Sequence, residues 1–121
     1  MGKKVLVVDD HQDAINILTM ILKKGGYDPV SAKDGVEALQ KIKEENPDLV
    51  LLDVMMPKMD GYEVCQAVKA DPRNRHIPIV MLSAKTDPVS KERARELGAA
   101  DYITKPINPT DILKKVKEFL P

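Results

Sequence analysis

The chain has 121 residues, which suits one domain of ordinary size around a single hydrophobic core. Lysine and arginine together number 19, as do aspartate and glutamate, so the formal net charge is zero. This balance argues against direct nucleic-acid binding, which needs a basic surface. The single cysteine, Cys65, cannot form an internal disulfide and suits a reducing, cytoplasmic location. The apolar run after residues 1–4 is too short for a signal peptide or a membrane span, and without linkers or repeats we expect a single domain over residues 1–121.

The first third of the chain predicts strand, helix, strand and helix. Residues 5–8 form an unbroken aliphatic run, typical of a strand buried on both faces. Apolar residues recur at helical spacing over 14–22, and Gly25-Gly26 ends this helix. Residues 28–32 predict a weak strand whose proline assigns it to a sheet edge, because proline cannot donate a ladder hydrogen bond. Residues 34–46 predict a helix that Pro47 closes. Its predicted inner face is Val36, Leu39 and Ile42.

The middle of the chain contains the strand around which the site is organised. Residues 49–52 predict a strand buried on both faces that ends at Asp53. Pro57 and the Asp60-Gly61 pair then predict a turn. A helix over 62–70 follows. Its predicted inner face carries Val64 and Val68.

The last third predicts a strand, a helix, a short strand and a final helix. The strand over 77–82 ends at Ser83. Asp87 is a predicted N-cap and Pro88 the first residue of a helix that runs to Leu97. The remaining elements are a strand over 100–103, which leads to Lys105, and a helix that starts at Asn108-Pro109. The predicted inner face of the last helix is Ile112, Leu113, Val116, Phe119 and Leu120. Five strands alternating with five helices predict a doubly wound α/β fold with a parallel sheet.

Polar side chains follow four of these strands. They are Asp9 and Asp10, Asp53, Ser83 and Lys105. The carboxyl ends of parallel strands meet at one edge of the sheet, so these residues are expected to converge. Three carboxylates at one edge repel each other unless a cation is present, and hard oxygen ligands favour Mg²⁺. With a lysine and a hydroxyl beside the metal, the edge suits a phosphoryl group.

The same residues carry a resemblance to a known family. The segments are Val7-Val8-Asp9-Asp10, Leu52-Asp53-Val54-Met55-Met56-Pro57, Met59-Asp60-Gly61, Ser83-Ala84 and Lys105-Pro106. In this order they resemble the motif set of two-component response-regulator receiver domains, over essentially the whole chain. The resemblance implies the strand order 2-1-3-4-5, which agrees with the proline in the edge strand.

The resemblance also implies a role for each residue of the site. Asp53 would be the phosphoacceptor, and Asp9, Asp10, Asp53 and the backbone carbonyl of Met55 would hold Mg²⁺. Lys105 would neutralise the phosphoryl oxygens, and the Lys105-Pro106 peptide bond would be cis. Ser83 and Tyr102 would change position when Asp53 is phosphorylated. Met55 and Lys85 would influence the lifetime of the phosphorylated state. His11 departs from the usual acid or glutamine and is expected to be an exposed helix-start residue without a role.

The first predicted helix has two apolar rows, of which one can face the sheet. The second row, Ala14-Ile17-Ile21, is either partly exposed or part of the core, and burial is favoured more for Ile21 than for Ile17. The resemblance implies that a histidine kinase docks on this helix. It assigns partner docking to Ala14, Ile17 and Pro106.

These observations lead to a phosphorylation-controlled switch. A histidine kinase or a histidine phosphotransfer protein would donate its phosphoryl group to Asp53. The face made by helix four, strand five and helix five would then control an unknown downstream protein. The chain would catalyse only its own phosphorylation and dephosphorylation, as a monomer or a phosphorylation-dependent dimer, without membrane association.

Two other classes of protein share part of the pattern. An aspartyl-phosphate phosphatase of the haloacid dehalogenase type also has a nucleophilic aspartate after a buried strand, but places a second acid two residues later, where this chain has Met55. A flavodoxin-like module that binds a flavin would have a phosphate loop rich in Ser, Thr and Gly after strand one, where this chain has Asp9, Asp10 and His11.

Overall fold

The computed structural model describes residues 2–56, 58–84 and 90–121. Five strands and five helices alternate along the chain. The strands are β1 Lys4–Val8, β2 Asp28–Ala32, β3 Leu49–Asp53, β4 Ile79–Ser83 and β5 Asp101–Thr104. The helices are α1 Gln12–Lys24, α2 Gly35–Glu45, α3 Gly61–Ala70, α4 Ser90–Glu96 and α5 Pro109–Phe119. Most bounds agree with the sequence prediction to within two residues; the predicted N-terminus of helix four, at Asp87 and Pro88, lies outside the described residues.

The sheet is parallel throughout and has the order β2-β1-β3-β4-β5. This confirms the predicted fold class and strand order. Pro29 lies in the edge strand β2, opposite Val5 of β1. An edge strand tolerates proline because one of its sides needs no ladder hydrogen bond. The sheet therefore presents the carboxyl ends of β1, β3, β4 and β5 side by side.

Two hydrophobic clusters sandwich the sheet. Successive residues of a strand point to opposite faces, so the unbroken aliphatic strands supply both clusters. Leu6 and Leu52 belong to the cluster beneath α2, α3 and α4. Val7 and Leu51 belong to the cluster beneath α1 and α5. None of the helices in the described part of the chain combines the length and the apolar character that crossing a bilayer requires.

The inner face of α2 differs in part from the sequence prediction. Val36 is 59% exposed, so its assignment to the inner face of α2 was wrong. The buried row of α2 is Gly35, Ala38 and Ile42. Gly35 sets this rotation, because a Cβ there would lie 2.7 Å from the Cβ of Met59. The helix thus packs at Gly35, and Val36 turns towards solvent.

The structure shows which residues of the two apolar rows of α1 are buried. Ile15, Leu18 and Leu22 are buried against the sheet, and Ile21 joins them. Ile17, in contrast, is 49% exposed. The second row therefore divides, as the preference for burying Ile21 over Ile17 indicated.

Candidate functional site

Charged side chains meet at the carboxyl edge of the sheet. Asp9 and Asp10 follow β1, Asp53 ends β3, and Lys105 follows β5. The Lys105 Nζ lies 3.0 Å from Asp53 Oδ1 and 3.4 Å from Asp9 Oδ2. The Lys105 side chain is 28% exposed, whereas that of Asp9 is fully buried and that of Asp53 is 6% exposed. The predicted convergence of these strand ends is thus what the structure shows.

Burial and charge both act on the protonation of this site. Burial raises the pKa of Asp53 above its ordinary value, and the neighbouring charge of Asp9 raises it further. The hydrogen bond and charge of Lys105 act in the opposite direction but do not cancel these effects. Burial also disfavours the charge on Lys105, but its hydrogen bond to Asp53 and the charges of Asp53 and Asp9 outweigh it, so the pKa of Lys105 is raised. Asp53 is therefore a desolvated carboxylate held against a firmly charged lysine.

The acidic group has the composition of a cation site. Ligand atoms of Asp9, Asp10, His11 and Asp53 all lie within 4.8 Å of one another. Asp10 Oδ1 is shielded from solvent and accepts no hydrogen bond from the described residues. Shielded carboxylate oxygens facing one another are costly without a positive charge between them. The three carboxylates consequently fit a hard divalent cation such as Mg²⁺.

His11 stands at the start of α1, exposed as the sequence predicted, but it also contacts the site. Its side chain is 73% exposed, and Nδ1 lies 3.3 Å from Asp9 Oδ1 and 3.1 Å from Asp10 Oδ1. The His11 backbone N–H donates to Asp9 Oδ1 at 2.9 Å. No role was predicted for this residue; its position directly after the two acids was the available signal.

Glycine at position 61 lets the next helix approach the end of β3. The Gly61 N–H donates to the Val54 carbonyl at 2.8 Å. A Cβ on Gly61 would contact the backbone of Asp53 and lie 2.9 Å from the Val54 Cα. Asp60 caps α3 in a capping box with Glu63. The turn predicted from Asp60-Gly61 therefore supports the backbone of Asp53 directly.

The two predicted switch residues lie on β4 and β5. Ser83 is buried one residue beyond Leu82, the register partner of Asp53, and its Oγ donates to the Ala84 carbonyl at 3.3 Å. Tyr102 is half-buried and packs against the cluster beneath α2, α3 and α4. Both residues thus have the strand positions that the prediction requires, and their switching remains a prediction.

The other predicted site residues differ in exposure where the structure describes them. Met55 is 68% exposed. Lys85 lies outside the described residues. The peptide bond between Lys105 and Pro106 is cis, which confirms that expectation. Among the predicted docking residues, Ala14 is half-buried and Pro106 is exposed, like Ile17.

A parallel sheet in the order 2-1-3-4-5, with an acidic pair, a buried aspartate and a lysine at its carboxyl edge, defines the receiver class of signalling domain. The sequence model of the response regulator receiver domain matches residues 5–117. The chain therefore belongs to the response-regulator receiver family, whose members generally act as signalling switches rather than as enzymes and bind Mg²⁺ in an acidic pocket.

Individual relatives agree with this assignment. Over 120 residues the chain is 46% identical to the alkaline phosphatase synthesis transcriptional regulatory protein PhoP of Bacillus subtilis (strain 168). The match covers 99% of this chain and 49% of that protein, so the chain spans about half the length of this relative. The chemotaxis protein CheY4 of Vibrio cholerae superposes with a TM-score of 0.92 at 34% identity, covering 98% of this chain and 99% of that one. A signal receiver domain of a Syntrophus aciditrophicus histidine kinase gives 0.91 at 36% identity, covering 98% and 90%.

Proposed function

We propose that the chain is a phosphoacceptor switch and that Asp53 receives the phosphoryl group. The observation that carries this proposal is the buried Asp53 carboxylate, held 3.0 Å from the Lys105 Nζ beside an acidic group suited to a cation. The donor would be a phosphohistidine on a histidine kinase or a histidine phosphotransfer protein. Residues 1–121 would act as a single receiver domain in the cytoplasm.

The chemistry is a transfer between two nucleophiles. An Asp53 oxygen attacks phosphorus, the bond from phosphorus to the donor's histidine nitrogen breaks, and the imidazole keeps the electron pair and takes up a proton from solvent. The products are an acyl phosphate on Asp53 and a free imidazole on the donor. Lys105 neutralises charge on the phosphoryl oxygens. Asp9, Asp10, Asp53 and the Met55 carbonyl would hold Mg²⁺, which supplies further positive charge when bound.

The acyl phosphate would then bias a two-state equilibrium in the opposite half of the sheet. Ser83 stands on the strand next to Asp53, and Tyr102 on β5 pairs in register with Met81 of β4. Asp101 of β5 is held to α5 by an ion pair with Lys115 at 2.6 Å. This continuity supports β5 and α5 as parts of the output face, which by the family resemblance also includes α4. We propose that this face contacts a downstream protein, with phosphorylation-dependent dimerisation as one route, and that the chain binds neither nucleic acid nor membrane directly.

The lifetime of the acyl phosphate would depend on positions 55 and 85. Hydrolysis needs a water in line with the phosphorus, and an exposed methionine at position 55 cannot orient it by hydrogen bonding. An acid or amide at position 85 could also orient this water, whereas Lys85 would lie against the phosphoryl oxygens or block the approach of the water. We therefore expect the phosphorylated protein to decay faster in the double variant Met55→Asn with Lys85→Glu than in the wild type. Mass spectrometry measures this decay. Equal decay rates would show that these two side chains do not control the lifetime.

Acetyl phosphate with Mg²⁺ tests the phosphoacceptor assignment without a kinase. Intact-mass spectrometry should show one added phosphoryl group on the wild type and none on Asp53→Ala. Asp13→Ala is the matched control, because Asp13 is an exposed acid in the first turn of α1 and belongs to no part of the acidic group. It should be labelled like the wild type. Undiminished labelling of Asp53→Ala would overturn the proposal.

A further inference from the structure

His11 adds a nitrogen donor to an otherwise all-oxygen group. Its ring lies at the mouth of the acidic pocket, where it is largely exposed to solvent, yet its Nδ1 approaches two carboxylates at 3.1 and 3.3 Å. No other described histidine or cysteine side chain belongs to the acidic group. The nearer of these carboxylates, on Asp10, has the solvent-shielded oxygen that accepts no hydrogen bond within the described ranges.

The separations between these donor atoms match those around a six-coordinate ion. Ligands at about 2.1 Å from such an ion lie roughly 3.0 Å apart when they occupy adjacent positions. The 3.1 Å between His11 Nδ1 and Asp10 Oδ1, and the 3.3 Å between His11 Nδ1 and Asp9 Oδ1, are close to this value. Small side-chain movements would therefore allow the imidazole nitrogen and a carboxylate oxygen to bind one cation together.

The nature of the donor decides which cation benefits. Mg²⁺ is a hard ion that prefers oxygen and keeps several waters, so an imidazole contributes little to its binding. Borderline divalent ions such as Co²⁺, Ni²⁺ and Zn²⁺ bind imidazole nitrogen well. A carboxylate set with one histidine consequently discriminates between the two classes of ion more strongly than carboxylates alone.

We infer that His11 is a specificity-determining ligand that shifts the acidic site of this chain towards borderline divalent metals. The inference rests on the proposed function only in placing the cation among Asp9, Asp10 and Asp53. It concerns the identity of the ion, whereas the proposed function concerns the phosphoryl group on Asp53.

Metal titration of the untagged, metal-free protein tests the inference, with Co²⁺ and Mg²⁺ as the probes. In His11→Gln, whose side chain keeps polar contacts but lacks the imidazole, the dissociation constant for Co²⁺ should rise about tenfold. The constant for Mg²⁺ should change by less than about twofold. His76→Gln is the matched control, because His76 is exposed and precedes β4 at the opposite edge of the sheet. It should change neither constant.

A spectroscopic readout on the wild type makes the test independent of mutant stability. Coordination of Co²⁺ by His11 should produce strongly shifted imidazole proton resonances that persist in His76→Gln and vanish in His11→Gln. Absence of these resonances, or equal changes of Co²⁺ and Mg²⁺ affinity in His11→Gln, would overturn the inference. Labelling of Asp53 is measured separately, with acetyl phosphate and Mg²⁺. Either of these two results would therefore leave the proposed function intact, and a failure of labelling would not change the outcome of the Co²⁺ experiments.

Discussion

At the scale of single residues, Asp53 is charged in surroundings that disfavour its charge. The side chain is only 6% exposed, and its pKa is raised by burial and by Asp9 despite the contact with Lys105. A carboxyl group whose pKa is raised by folding binds more protons in the folded than in the unfolded state. The wild type therefore loses stability as the pH rises from the ordinary value of 3.8 through the raised pKa.

Asp53→Asn should remove this loss. Without metal, its free energy of unfolding should exceed that of the wild type at neutral pH, because the amide carries no buried charge. The difference should shrink as the pH falls, and it should be smallest well below 3.8, where the wild-type carboxyl is protonated in both states. Urea denaturation in EDTA over this range measures it. A difference that is independent of pH would show that the charge of Asp53 is not the cause.

Residue positions at the strand ends were predictable for a simple reason. In an alternating α/β chain, the residues that end the buried strands meet at one edge of the sheet. Asp9, Asp53 and Lys105 therefore come together there for any conformation of the loops. The contact of His11 with two carboxylates was not predictable. It depends on the extended backbone of His11 at the N-cap of α1, with φ −99° and ψ 119°, which returns the ring towards Asp9.

At the scale of elements, the junction of β3 and α3 positions the proposed phosphoacceptor. Gly61 touches the backbone of Asp53, and a methyl group there has no room. Gly61→Ala should therefore lower the free energy of unfolding by about 1–3 kcal/mol. It should also slow labelling by acetyl phosphate, because the Asp53 carboxylate is displaced from Lys105.

Gly26→Ala separates these two effects. Gly26 has φ 88°, so alanine there is strained, but nothing crowds the position and it follows α1 near the opposite edge of the sheet. This variant should lose stability and still be labelled at the wild-type rate under folding conditions. If Gly61→Ala is labelled equally fast, the close packing of Gly61 does not position Asp53.

The exposed part of α1 is the second element-scale feature. Ile17 and Met20 are 49% and 54% exposed, and with Pro109 and Leu113 of α5 they line a groove of about 230 Å³. Ile17→Ala should slow phosphotransfer from a cognate kinase by about tenfold if it removes a central apolar contact. It should leave labelling by acetyl phosphate unchanged, since that donor needs no docking.

Val36→Ala is the control for Ile17→Ala. Val36 is also an exposed β-branched residue, but α2 packs against the other face of the sheet. Both substitutions should change the free energy of unfolding by less than about 0.5 kcal/mol. Slower transfer from both donors in Ile17→Ala would show that the residue supports the fold rather than a partner.

Helix existence was predictable from apolar spacing, but helix rotation was less so. The row at Ile15, Leu18 and Leu22 is long enough to fix the inner face of α1. On α2 the shorter pattern was ambiguous, because a glycine and an alanine form most of the buried row and neither counts as strongly apolar. Close packing of Gly35 against Met59 decided the rotation, and that contact joins distant parts of the chain.

At the scale of the whole molecule, the apolar and charged parts of the fold are separated. Two hydrophobic clusters lie on the faces of the sheet, and three carboxylates lie at its carboxyl edge with one lysine between two of them. Apolar burial favours folding in any ionic condition, whereas this edge favours it only when positive charge is sufficient. The stability of the domain should therefore respond to divalent cations.

Mg²⁺ should raise the free energy of unfolding of the wild type, because only the folded chain brings these carboxylates together. Binding at one site adds about 2.7 kcal/mol when the free ion is at a hundred times its dissociation constant. Asp10→Ala should be more stable than the wild type in EDTA, since it relieves repulsion, and should gain little from Mg²⁺. Asp13→Ala should gain as much stability from Mg²⁺ as the wild type.

Urea denaturation at constant ionic strength, with NaCl replacing MgCl₂, separates site binding from general screening. Equal stabilisation of all three proteins by Mg²⁺ would mean that the ion acts elsewhere, and a loss of stability of Asp10→Ala in EDTA would mean that Asp10 supports the fold rather than a cation.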